Sequence, residues 1–118
     1  MEYKFPRKLR LTTDNQFKLV FRKGRKISSK PSAVFYHNNK LAHPRLGVIA
    51  PKKSIRKAKD RNYFKRLIRE GFRLRQHELG SIDIVILAYR DVEYVSEEEF
   101  CKCLQKQWED LILRQKKL

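Results

Sequence analysis

KKSIRKAKDRNYFKRLIREGFRLR, residues Lys52–Arg75, is the stretch that decides the reading of this chain. It holds eleven Lys or Arg and two acids, Asp60 and Glu70, and so carries +9 of the formal +16. Wound as a helix at about 100° per residue, it places Phe64, Leu67, Ile68, Gly71 and Phe72 on one arc and Asn62, Lys65, Arg66, Arg69 and Arg73 on the opposite one. One side can be buried against a sheet while the other holds cations in water. Most charged helix faces are plain solvated surface, but those mix signs and gain i,i+4 pairs. Here the wet arc is almost wholly cationic, and like charges a turn apart repel by about 0.2–0.5 kcal/mol per pair. A polyanion converts that repulsion into attraction, so the arc reads as a nucleic-acid face.

The flanks set this helix in a sheet. Arg45–Ala50 (RLGVIA) has strand composition and ends at Pro51. The helix is expected over about Lys57 to Gln76, with its stop near Gly80. Ile82–Tyr89 (IDIVILAY) is the most apolar run and is expected as a central strand. Strand, long helix, strand makes a βαβ unit with parallel pairing, right-handed by default.

Further upstream, Ser32–His37 (SAVFYH) alternates as a strand, with Val34 and Tyr36 on one side and Ala33 and Phe35 on the other. Gly24–Pro31 reads as a polar, basic loop. Thr13-Asp14-Asn15-Gln16 is a capping box that starts a short helix, and Gly24 is expected to end it as a left-handed cap. Phe17, Val20 and Phe21 share one face of that helix. Such stripes are usually core, although an open aromatic edge would also stack bases. Residues 1–11 read as a basic extended arm and residues 113–118 as a frayed tail on one domain spanning 1–118. Downstream, Ser96-Glu97-Glu98-Glu99 is a second capping box. It leads into a helix with the stripe Phe100, Leu104, Trp108 and Leu111, whose acids and bases balance. That helix is for packing.

Bulk properties agree with this division. A chain of 118 residues, 41% hydrophobic with pI near 10.2, builds one modest core and seeks a polyanion. No run approaches the roughly 20 apolar residues that span a bilayer. No apolar stretch follows the basic start, so the cytoplasm is the expected compartment. Cys101 and Cys103 lack the partners of a zinc site and read as structural. His37, His43 and His77 show no ligand spacing, glycine-rich phosphate loops are absent, and no close carboxylate pair follows a strand. Catalytic and metal-ligating residues are therefore not expected; the residues by themselves describe a binding protein.

Lys52-Lys53, then Arg61-Asn62, then Lys65-Arg66-Leu67-Ile68-Arg69-Glu70 closely resemble the signature of the bacterial ribonuclease P protein component. His43-Pro44-Arg45-Leu46-Gly47 before it, Phe72 to Leu79 after it, and the first-helix aromatics Phe17, Val20 and Phe21 extend the resemblance over about residues 9–112. It departs at Tyr63, where the family signature Arg-Asn-Arg has its second arginine. In its place Tyr63 offers stacking or a hydrogen bond to RNA.

The resemblance implies an α+β fold: a compact sandwich of α-β-β-β-α-β-α order, similar to the second domain of a small-subunit ribosomal protein. Its βαβ crossover would be left-handed, against the default. It implies the protein subunit of an endoribonuclease whose RNA subunit cuts, with Mg2+ held mainly through that RNA, to mature the 5′ end of tRNA. One protein per RNA is implied. By position, Lys53, Arg56, Arg61, Asn62, Lys65, Arg66, Arg69 and Arg73 would face the catalytic RNA. Phe17, Phe21, Tyr36 and Lys52 would hold the 5′ leader of precursor tRNA. A general RNA-binding protein is the competing reading; it needs the basic helix but not the aromatic face.

Overall fold

Seven residues, Ile82–Ala88, form strand β4, and the sheet is built against it. Its side chains are buried on both faces, which is why the run is apolar without alternation. A computed structural model describes residues 5–29 and 32–116. In chain order the other elements are α1 (Asp14–Lys23), β1 (Arg25–Ser29), β2 (Ser32–Asn38), β3 (Arg45–Ile49), α2 (Ala58–Leu79) and α3 (Glu97–Lys116). Two 3-10 turns, Arg7–Leu9 and Arg90–Tyr94, complete the set. The sheet order is β1-β2-β4-β3, with β3 and β4 parallel and the other pairs antiparallel. The α-β-β-β-α-β-α order implied by the resemblance is thus the observed one.

The strand within the expected Gly24–Pro31 loop, β1, escaped the reading of periodicity. Arg25–Ser29 offers a single apolar residue, Ile27, and no hydrophobic alternation. Its strand character comes from pairing with β2, where Lys26 lies opposite Phe35 and Arg25 opposite Tyr36.

Each sheet face has its own cover. Val34, Tyr36, Leu46, Ile82, Ile84 and Ile86 pack with α2 and α3 in the large core. The alternate residues Phe35, Ile49 and Val85 pack with Leu11, Phe17 and Val20 under α1. Asp83, 1% exposed, is the exception on this second face. Arg45 donates to both its carboxylate oxygens at 2.8 and 2.7 Å, and Asn39 adds a third donor at 2.9 Å. A buried acid is tolerated because it is paired and hydrogen-bonded.

Thr13 opens α1 as expected, its hydroxyl accepting from Gln16 N–H while the Gln16 side chain accepts from Thr13 N–H. The helix ends differently from expectation. Gly24 has φ −81° and extended backbone, not a left-handed cap. The glycine is needed for space: a Cβ there would lie 2.3 Å from the Val20 carbonyl oxygen and 2.7 Å from that of Tyr36. The left-handed glycine is Gly80, at φ +73°, which ends α2.

The described part of the expected basic arm, residues 5–11, packs against the domain. Leu9 and Leu11 are buried, Arg10 bridges Leu46 in parallel fashion, and Phe5 meets Phe72 edge-on at 5.4 Å. Residues 1–4 of the expected arm lie outside the described residues. Helix α3 continues through Lys116, into the segment expected as frayed; residues 117 and 118 also lie outside.

Helices α2 and α3 lie side by side and run in the same direction. Phe64 meets Phe100 at 5.2 Å between ring centroids, and Phe72 meets Trp108 at 6.4 Å. Between these contacts the helices approach so closely that a Cβ on Gly71 would lie 2.5 Å from Trp108 Nε1. Trp108 is 1% exposed and cannot swing away. Gly71→Ala should therefore destabilise the fold: overpacking costs ~1–3 kcal/mol, against a gain of at most about 1 kcal/mol in helix propensity. Urea unfolding followed by Trp108 fluorescence should give a lower midpoint; an unchanged or higher one would mean the helices separate freely.

Candidate nucleic-acid interface

The dry arc of α2 is buried as its periodicity required: Phe64, Ile68 and Phe72 are at most 5% exposed. This fixes the rotation of the helix and turns Asn62, Arg66 and Arg69 to solvent, with Lys65 half-buried beside them. Among the described residues, Lys65, Arg66 and Arg69 have no ion pair. These three form a row of unneutralised cations.

Two arginines assigned to the same row are engaged elsewhere. Arg73 is paired with Glu70 one turn back, through Nε at 3.2 Å and through Nη2. The pairing holds the Glu70 carboxyl below its ordinary range and raises the Arg73 guanidinium. Arg73 is therefore a partly neutralised cation at the margin of the row. Arg61 is half-buried, and its Nη1 donates to the carbonyls of Ile55 and Arg56 at 3.0 and 2.9 Å. It clasps the segment that leads into α2. Arg56 N–H in turn donates to Glu93 at 2.8 Å, and Ser54 N–H to the Pro51 carbonyl at 2.9 Å. The side chains of Lys52, Lys53 and Arg56 are thus exposed on a braced turn at the entrance of the helix.

Tyr63 is 39% exposed, and its hydroxyl donates to Glu97 in the first turn of α3. The expected free hydrogen-bonding handle for RNA is spent inside the molecule. The helical position explains this, since Tyr63 sits on the flank that meets α3.

On the other sheet face, three rings gather. Phe17 lies on Gly47, where a Cβ would come within 2.4 Å of the ring. Phe21 is 39% exposed and meets Phe35 edge-on, 4.8 Å between centroids at 71°. Lys26 Nζ stands 5.5 Å from the Phe35 centroid and 5.8 Å from that of Tyr89. This group offers an open aromatic edge with a cation above it, suited to bases and phosphates. Lys52 follows β3 in the turn beyond Ile49, which belongs to the same cluster.

Tyr36 does not join these rings, which corrects its assignment. Side chains alternate along β2, so Tyr36 faces the core under α2 and α3, 7% exposed, with its hydroxyl accepting from Arg114 at 2.7 Å. Phe35, its neighbour, takes the place beside Phe21. The alternation was visible in the sequence; what it lacked was which face α1 covers. Lys26 and Tyr89 had no signal of their own.

The ribonuclease P family model matches residues 5–112. The chain belongs to the ribonuclease P protein family. Relatives agree: it is 42% identical to the ribonuclease P protein component of Aliivibrio fischeri over 111 residues, covering 94% of this chain and 95% of the relative. With the protein component from Escherichia coli O157:H7 it shares 41% over 104 residues, 88% and 87% of the two chains. Among solved structures, the RNase P protein of Staphylococcus aureus superposes with a TM-score of 0.78 at 27% identity, over 83% of this chain and 90% of that one. The RNase P protein of Thermotoga maritima gives 0.71 at 27%, over 86% and 96%. The ribonuclease P protein is a component of an endoribonuclease ribonucleoprotein of tRNA processing, and this is the role the chain takes. Among the described residues no group of three or more His, Cys, Asp or Glu side chains is placed to hold a metal.

The Tyr63–Glu97 bond carries a pH signature. The carboxylate holds the Tyr63 phenol above its ordinary value of 10.0. A raised folded-state pKa contributes stability that is full below about pH 10 and is lost as pH rises through the folded value. Tyr63→Phe should lower Tm at pH 7, and the gap to the parent should shrink above about pH 10. A gap constant to about pH 11 would show that the bond does not form in solution.

Proposed function

We propose that this chain is the subunit that binds the catalytic RNA of ribonuclease P through the wet side of α2 and holds the 5′ leader of precursor tRNA on the Phe17, Phe21 and Phe35 rings. The observation that carries the proposal is the row Lys65, Arg66 and Arg69, without an ion pair among the described residues and set opposite a buried face. Lys53, Arg56 and Asn62 extend the row, with Arg61 bracing the entry turn and Arg73 at its margin. Lys26, over the Phe35 ring, and Lys52, exposed in the turn after β3, suit the leader's phosphates.

In this reading the cutting is done by the RNA, with Mg2+ held through the RNA. The protein supplies cations that reduce repulsion between two polyanions, the catalytic RNA and the precursor. Stacking supplies the grip on the leader and is tolerant of base identity, which suits leaders of differing sequence. One copy per RNA, acting in the cytoplasm, completes the proposal.

Two measurements test it. Replacing Lys65, Arg66 and Arg69 together with Gln should weaken catalytic-RNA binding and lower the log–log salt slope by about one for each phosphate left without its cation. An unchanged slope would remove α2 as the RNA face. Phe21→Ala combined with Phe35→Leu should weaken precursor tRNA more than mature tRNA, by about 1–3 kcal/mol for each base that no longer stacks. Equal weakening for both tRNAs would count against the leader assignment.

A further inference from the structure

A cavity of about 500 Å³ opens at the end of the sheet where α1, α2 and α3 finish. Three cations line it from three different elements: Lys23 at the end of α1, Arg25 at the start of β1, and Arg114 near the end of α3. Its lining contains no Asp or Glu among the described residues. Tyr36 and Ile82 form part of its wall, 7% and 1% exposed.

Helix dipoles explain part of this. A cation in a last turn is favoured by the partial negative charge of the free carbonyls, which accounts for Lys23 and Arg114 taken singly. It does not account for Arg25, on a strand, or for the convergence of all three on one concavity. Nor does it explain the arrangement of Arg114. Its Nη1 donates to the Tyr36 hydroxyl at 2.7 Å and its Nε to Asp110 at 3.2 Å, with the guanidinium 5.7 Å from the Tyr36 ring centroid. Two of its five N–H donors are so used, and the group is held in place, its charge partly offset by the ion pair with Asp110. The Tyr36 hydroxyl accepts that bond, and its own proton has no acceptor among the described residues. A buried hydroxyl with a proton to give, beside a fixed guanidinium, matches an anionic oxygen.

We infer that this cavity is a second RNA contact of this chain, taking a backbone phosphodiester through Lys23, Arg25, Arg114 and the Tyr36 hydroxyl. The inference rests on the RNA-binding role proposed above. The site is distinct from the cationic row: Lys65 precedes the end of α2 by about four turns, roughly 20 Å. It reads charge and not sequence, because Tyr36 is too buried to present its ring to a base. The wall therefore offers donors and no stacking platform.

The test measures the salt dependence of binding by the full chain carrying Lys23→Gln and Arg25→Gln, both exposed positions that leave the core untouched. Tyr36→Phe serves as a second, isosteric variant. One arm uses the catalytic RNA alone; the other uses precursor tRNA added to the assembled complex. The Lys65, Arg66 and Arg69 triple variant is the control. The expected result is a slope lower by about one in one of the two arms for the double variant, together with a several-fold weaker binding of the same RNA by Tyr36→Phe. A drop in the first arm assigns the phosphate to the catalytic RNA, and a drop in the second assigns it to the precursor. Unchanged slopes in both arms while the control falls would overturn the cavity and leave the α2 face standing. Unchanged slopes in the control as well would overturn both.

Discussion

The rotation of α2 about its own axis is the constraint on which the molecule depends. A helix with so many cations repels itself and has no intrinsic reason to keep them on one side. Phe64, Ile68 and Phe72 supply the reason, being locked against the sheet and against Phe100 and Trp108 of a helix running alongside. Apolar burial at roughly 25 cal/mol per Å² exceeds repulsion of a few tenths of a kcal/mol per pair by a wide margin. Lys65, Arg66 and Arg69 are therefore aimed by the core and not by any contact of their own. Gly71 faces Trp108 across the helix contact, and its missing side chain leaves room for the indole.

The same logic separates cations that bind from cations that build. Arg45 is consumed by the buried Asp83, Arg61 by the carbonyls of the entry turn, and Arg73 by Glu70. A formal charge count treats all of these alike, yet their free donors differ. The outward row is set by which cations the fold leaves unpaired, which is fewer than the composition suggests.

That distinction also marks how far the sequence could be read. The α2 stripe, the Thr13 capping box and the apolar β4 were legible because each rests on local periodicity or on bonds between near neighbours. Strand β1 was not, since a polar edge strand with one isoleucine gains its identity from β2. The exchange of Tyr36 for Phe35 has the same origin. Period-two alternation states that neighbours point apart, but which of two buried faces lies under α1 is a long-range fact. The role of Gly24 was misjudged for a related reason: its demand comes from the carbonyl of Tyr36, on the neighbouring strand.

Both borders of the sheet are closed to strand addition, each by a different device. Along β3 the segment at Arg10 and Leu11 is laid down, with Leu11 N–H bonded to the Leu46 carbonyl at 2.9 Å. Along β1 the outermost strand bears Arg25 and Lys26, and a second copy approaching edge to edge would bring the same charges against them. A molecule drawn to a polyanion is thereby kept from polymerising through its backbone, and the charges that would repel its own copies include ones proposed above to meet phosphate.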